Sequence, residues 1–190
     1  MIELRIHGRG GQGAVVASKV LAEAGFLRGH YVQSYPDYGV ERRGAPVVAF
    51  ARIAEPGDSD FVRQDIREPD HLLVLDPSLL TRPATLSGLK PGGWVVVNSP
   101  SPPASLDVPD EFRVATVDAA DIAVRHGLGS KAQPVVNTAI LGAFVRATGI
   151  VSLDALLEAI TETVSIKTER NREAAAEAYE HADLGTPAHA

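Results

Sequence analysis

The sequence predicts an α/β fold around a mainly parallel sheet, and three features predict it. Ile2, Leu4 and Ile6 alternate with polar residues, as a strand requires. A glycine-rich break over residues 9–13 gives way to apolar residues at helical spacing. Several short, mostly apolar runs follow, of the kind a sheet buried on both faces needs. The expected architecture is a Rossmann-like three-layer domain, one unit over residues 1–184 with a flexible tail at 185–190 that carries no packing signal.

Each element has its own reason. After the first strand and its glycine break, Ala14, Val15, Ala17, Val20, Leu21, Ala24 and Leu27 recur as one face of a helix, with Gly29 as its stop. Residues 31–35 read as a second strand ended by Pro36, and 47–53 as a third. The segment between them, with four charges, two glycines and a proline, is a loop too short for a crossover helix. That shortness allows an antiparallel pair and so a mixed sheet. Residues 72–75 are a buried strand running into Asp76-Pro77, a loop or helix start. A turn at Pro91-Gly92-Gly93 feeds a strand at 94–97. Four prolines make 99–109 an irregular connection before a last strand at 112–117. Helices are expected at about 136–147, 153–163 and 169–182.

Composition closes off several functions. A formal charge of −6 leaves no basic excess to replace phosphate counterions, so no nucleic-acid partner is expected. No apolar run reaches the 18 residues or so that a membrane helix needs. Glu3, Arg5 and His7 interrupt the apolar residues at the amino terminus, so no signal peptide is expected and the protein reads as cytoplasmic. With no cysteine, neither a disulfide nor a thiolate-held iron–sulfur cluster can belong to this chain. His126, His181 and His189 show no ligand spacing, and no metal site is expected.

Gly8-Arg9-Gly10-Gly11-Gln12-Gly13 matches the G-x-G-x-x-G pattern between a strand and a helix. Glycines let the backbone approach a phosphate, the helix mouth offers unpaired N–H groups, and Arg9 would add a cation. The same glycines would equally serve a tight strand-to-helix turn that binds nothing. A dinucleotide site also needs an acid at the end of the second strand to hold the ribose; Asp37, beyond Pro36, is badly placed for it. The second notable segment, residues 34–46, puts Tyr35, Tyr38, Glu41, Arg42 and Arg43 into one loop. Tyrosine and arginine together suit an interface or a phosphate clamp, and equally a solvated loop. Asn137, ahead of an apolar run, suits a helix cap, with a bond across a subunit boundary as the alternative.

Residues 1–24 and 34–53, then 134–143 and 167–174, resemble the γ subunit, or fused γ domain, of the 2-oxoacid:ferredoxin oxidoreductases, the pyruvate:ferredoxin oxidoreductase-like family. The family commonly has a glycine near the end of its last helix, where this chain runs Ala178-Tyr179-Glu180-His181-Ala182. What the resemblance implies is a division of labour in the oxidative decarboxylation of a 2-oxoacid to acyl-CoA. Thiamine diphosphate with Mg would sit between α and β chains, and [4Fe-4S] clusters on a ferredoxin-like chain. Ferredoxin, flavodoxin or, through extra subunits, NAD would take the electrons. This chain would help to form the coenzyme A path, with Gly8, Arg9, Gly10, Gly11, Gln12, Gly13, Arg42 and Arg43 as the residues for its anionic parts, Glu41 orienting the arginines, and no catalytic residue. The alternatives are a purely structural subunit and a free-standing NAD(P) oxidoreductase.

Overall fold

The computed structural model describes residues 1–37, 44–57 and 64–185. A six-stranded sheet is built from β1 (Ile2–Arg9), β2 (Tyr31–Pro36), β3 (Pro46–Ala54), β4 (His71–Val74), β5 (Trp94–Asn98) and β6 (Arg113–Val117). In space the order is β2-β3-β1-β4-β5-β6. Strands β1, β4, β5 and β6 run parallel. β3 is antiparallel to both of its neighbours, so the sheet is mixed, as the short loop allowed. The first strand runs past Gly8 and ends at Arg9, opposite Pro46, where the expected glycine break begins.

The α-helices among the described residues are α1 (Ala14–Phe26), α2 (Pro83–Leu86), α3 (Ala119–Arg125), α4 (Ala139–Thr148), α5 (Leu153–Thr163) and α6 (Thr168–Glu180). Period-2 alternation sends the apolar side chains of the parallel strands to two opposite faces. Leu4, Ile6, Leu73, Leu75 and Val96 join α1, α4, α5 and α6 in the main core. Leu72, Val74, Val95 and Val97 face the other way and pack on Leu79 and Leu89. Beside that second cluster, the corresponding face of β1 carries Glu3, Arg5 and His7, while on β3 Phe50 packs with Tyr35 and Ile66 in a third, small cluster next to Arg52. Arg52 is buried against Glu3 at 2.8 Å, Gln33 at 2.9 Å and the Tyr35 hydroxyl at 2.7 Å.

The main layer depends on small residues. α6 offers Ala174, Ala175 and Ala178 to α4. At Gly142 a β-carbon would stand 1.8 Å from the Ala175 carbonyl oxygen, so these two helices touch backbone to backbone. α5 begins where the sequence predicts, because Ser152 caps it by accepting from Ala155 N at 3.2 Å. The expected helix at 136–147 starts instead at Ala139, and the expected 169–182 helix spans Thr168–Glu180. α3 is unforeseen; seven residues with three small alanines leave no readable apolar stripe, and Asp118 initiates it by accepting from Asp121 N. Two two-residue strands, β7 (Gly129–Ser130) and β8 (Gln133–Pro134), form a small separate ribbon. Beyond α6, Thr116 and Asp183 exchange backbone hydrogen bonds at 2.9 Å and close the β6 edge. No helix of the described residues is long and apolar enough to cross a membrane.

Candidate functional site

β1 delivers Gly8 and Arg9 to the end of the sheet where the parallel strands finish, the position at which open α/β sheets hold ligands. The turn that follows is internally braced. Arg9 N donates to the Gln12 Oε1 at 2.7 Å, and Gln12 N donates to the Arg9 carbonyl at 2.9 Å. Gly10 N donates to the Ala45 carbonyl at 2.8 Å, and Gly44 N to the Gly10 carbonyl at 3.1 Å. Gly11 and Gly13 have φ of +96° and +83°, which glycine tolerates best. Gly13 is the cap residue of α1 and brings no side-chain cap. Among the described residues, the amides of Gly11, Gly13, Ala14, Val15 and Val16 donate to no acceptor. They are the unpaired donors of a helix mouth.

Arg9 is not the free cation the sequence suggests. Its Nε donates to Asp76 Oδ2 at 2.8 Å, Nη2 to Ser78 Oγ at 2.8 Å and Nη1 to the Gly44 carbonyl at 3.2 Å. Burial alone would raise the Asp76 carboxyl; hydrogen bonds from Ser78 and Arg9, with the guanidinium charge, outweigh it and hold Asp76 below the ordinary carboxylate range. His7, two residues earlier on the same face, accepts from Arg5 Nε at 3.0 Å through Nε2. Desolvation, aided by the Arg5 charge, pulls its imidazole down to about 3, so it stays neutral at physiological pH. Arg5 itself is fastened to the Thr85 and Ser87 carbonyls.

Asn137 does not cap α4 in the ordinary way. Thr138 stands at the cap position, and Asn137 Oδ1 accepts from the adjacent Thr138 N at 2.9 Å. Its Nδ2 lies against Gly13, where a β-carbon would come within 2.4 Å. Thr138 Oγ1 donates to Asn171 Oδ1, and Asn171 Nδ2 donates to the carbonyls of Ile166 and Lys167. Lys167 is held at φ 52° and donates from Nζ to the Gly127 carbonyl. The segments 8–13, 134–143 and 167–174 therefore meet at one end of the sheet, and Gly44 ties the end of the 34–46 segment to them. Glu41, Arg42 and Arg43 lie outside the described residues. Asp76 and Ser78 are the site residues that local sequence reading missed, and Asn137, expected to cap a helix, instead abuts Gly13; each reaches the turn only through tertiary contact.

Two further features bear on function. A cavity of about 530 Å³ lies away from the turn, against Lys19, Glu23, Phe26, Val32 and Glu162. And β3 stands between β1 and β2, so Asp37 follows a strand about two spacings, roughly 10 Å, from the glycine turn's own strand. A ribose-holding acid belongs on the adjacent strand.

Fold and turn define an α/β chain with a Rossmann-like glycine turn on a mixed sheet. The chain belongs to the pyruvate ferredoxin/flavodoxin oxidoreductase family, whose pattern matches residues 3–181. It is 48% identical over 186 residues to the "Pyruvate/ketoisovalerate oxidoreductases common subunit gamma" of Thermococcus litoralis, covering 95% of this chain and 96% of that one. The crystal structure of pyruvate oxidoreductase subunit PORC from Thermotoga maritima superposes with a TM-score of 0.81 at 36% identity, covering 95% and 96% of the two chains. At 18% identity the fold is shared with a 2-oxoglutarate:ferredoxin oxidoreductase from Magnetococcus marinus, solved with 2-oxoglutarate, coenzyme A and succinyl-CoA bound. There the TM-score is 0.73, and the match covers 98% of this chain but 32% of the other. This chain is thus a gamma-type subunit of a 2-oxoacid ferredoxin oxidoreductase.

Proposed function

We propose that this subunit holds the phosphates of coenzyme A while a 2-oxoacid is decarboxylated and oxidised on partner chains. Gly8, Arg9, Gly10, Gly11, Gln12 and Gly13 would form one wall and Arg42 with Arg43 the other, Glu41 orienting the arginines. The observation that carries this is the pair of backbone hydrogen bonds joining Gly10 to Gly44 and Ala45. It ties the residue that follows Arg43 in the chain to a helix mouth whose amides are unspent. Arginine suits the second wall because its planar fork bonds two phosphate oxygens at once. The coenzyme A seen in the Magnetococcus enzyme supports the choice of ligand.

The chain's contribution is positioning. Fixing the phosphates brings the far-off thiol to the reacting centre without a bimolecular search, an effect worth several kcal/mol of barrier in general. Thiamine diphosphate and Mg belong to α and β subunits in this reading, and [4Fe-4S] clusters to a ferredoxin-like subunit, since this chain has no cysteine to ligate them. The acceptor is ferredoxin, flavodoxin or NAD through further subunits, and the complex works in the cytoplasm. Replacing both Arg42 and Arg43 with Ala tests the reading. The KM for coenzyme A should rise in the assembled complex while 2-oxoacid-dependent dye reduction falls less; equal losses of both, with the complex intact, contradict it.

One observation favours a second reading, in which the chain only braces the complex. Arg9 and Gln12, the two side chains of the turn, are already engaged within the chain. A free-standing NAD(P) oxidoreductase is the weaker alternative, because β3 separates Asp37 from the turn.

A further inference from the structure

We propose that Asp76 is a positioning residue for the ligand of this site, acting through Arg9. The inference rests on the coenzyme A reading above. Asp76 is the second residue beyond β4, the parallel neighbour of β1, so it reaches the same end of the sheet from the next strand. Three side chains close a ring there. Arg9 Nε donates to Asp76 Oδ2 at 2.8 Å, the Ser78 hydroxyl donates to Asp76 Oδ1 at 2.5 Å, and Arg9 Nη2 donates to Ser78 Oγ at 2.8 Å. A guanidinium held at two corners of such a ring has its plane fixed. Nη1 then reaches the Gly44 carbonyl at 3.2 Å, so the ring also clasps the backbone next to the turn.

Three of the five guanidinium N–H groups are spent in this way. One on Nη1 and one on Nη2 have no acceptor among the described residues and stand ready for phosphate oxygens. Asp76 offsets the charge of Arg9, so the ligand meets oriented donors instead of a mobile cation. Stability is a poor explanation for the ring: the side chains of Arg9 and Asp76 are 35% and 20% exposed, and ion pairs this open to water contribute little. Orientation is what it supplies.

The test uses the complex assembled with its partner subunits and measures steady-state kinetics against coenzyme A and against the 2-oxoacid. Asp76→Asn and Arg9→Lys should each raise the KM for coenzyme A about five- to tenfold, with kcat at saturating coenzyme A within about twofold and the 2-oxoacid KM unmoved. The double variant should be no worse than either single one, the signature of one residue working through the other. Asp76→Glu, which keeps the charge, should recover part of the loss. An unchanged coenzyme A KM in Asp76→Asn, or effects that multiply in the double variant, overturns the proposal. If the Asp76→Asn complex does not assemble, Ser78→Ala decides it: a rise of about two- to threefold supports the ring, and no change overturns it. If the Arg42, Arg43 double-alanine variant raises the coenzyme A KM and Asp76→Asn does not, this inference alone fails; if neither moves it, the coenzyme A reading fails first.

Discussion

Gly13 and Asn137 occupy adjoining space with none to spare: a β-carbon on Gly13 would stand 2.4 Å from Asn137 Nδ2 and 2.9 Å from its Cγ. The last glycine of the G-x-G-x-x-G run is therefore required by a residue 124 positions further on as well as by its own φ of +83°. Asn137 in turn is buried at the mouth of α1, and its Nδ2 has no acceptor among the described residues, so it adds a side-chain donor to the open amides there.

Gly13→Ala should lower the unfolding free energy by about 2–3 kcal/mol, from left-handed backbone strain and overpacking together. Adding Asn137→Ala should return most of the steric part, leaving a tight contact with its β-carbon at 3.0 Å and backbone strain of about 1 kcal/mol. Chemical denaturation of the two single variants and the double variant checks this; simple additivity of the two losses contradicts the shared-space account.

Gly142→Ala should be more damaging. Its β-carbon would fall 1.8 Å from the Ala175 carbonyl oxygen and 2.8 Å from Tyr179 N, both backbone atoms that cannot swing aside. Separating α4 from α6 to admit it should cost about 3 kcal/mol or more, seen as a large fall in Tm or failure to fold. A Tm within a degree or two of the parent would show that the two helices are not in backbone contact.

His7 makes a pH prediction. Its folded pKa is near 3 against an ordinary 6.5. Below 6.5 the unfolded chain binds a proton that the folded chain refuses, so His7's share of stability is whole above pH 6.5. It is lost as pH falls towards 3, at up to about 1.4 kcal/mol per pH unit. Asp76, also depressed, adds a loss only below the ordinary carboxylate range. His7→Gln should flatten the slope of unfolding free energy between pH 6 and 4; an unaltered slope in that variant would show that His7 does not carry it.

Much of the fold was legible because local pattern and tertiary role agree. Ile2, Leu4 and Ile6 alternate because Leu4 and Ile6 face the helices, while Arg5 and His7 point into the polar side. The 153–163 helix carries its own cap in Ser152. α3 was illegible because its alanines serve a close approach to neighbours that only the folded chain supplies. The start of α4 was misplaced for a similar reason: Val136 and Asn137 look like the head of an apolar helix, but Asn137 is committed to Gly13 and Thr138 to Asn171. At the site, the glycine turn was visible as a motif, yet the fate of Arg9 was not. Asp76 lies 67 residues away and meets it only because β4 pairs with β1.

In the function proposed above, the open amides at the mouth of α1 receive the phosphates of coenzyme A. Hydrogen–deuterium exchange on the assembled complex, with and without coenzyme A, reads those amides one segment at a time. Ligand-dependent protection is expected at the amides of Gly11 and of Gly13 to Val16. Protection by coenzyme A elsewhere in the complex, with those amides exchanging as fast as before, would contradict it.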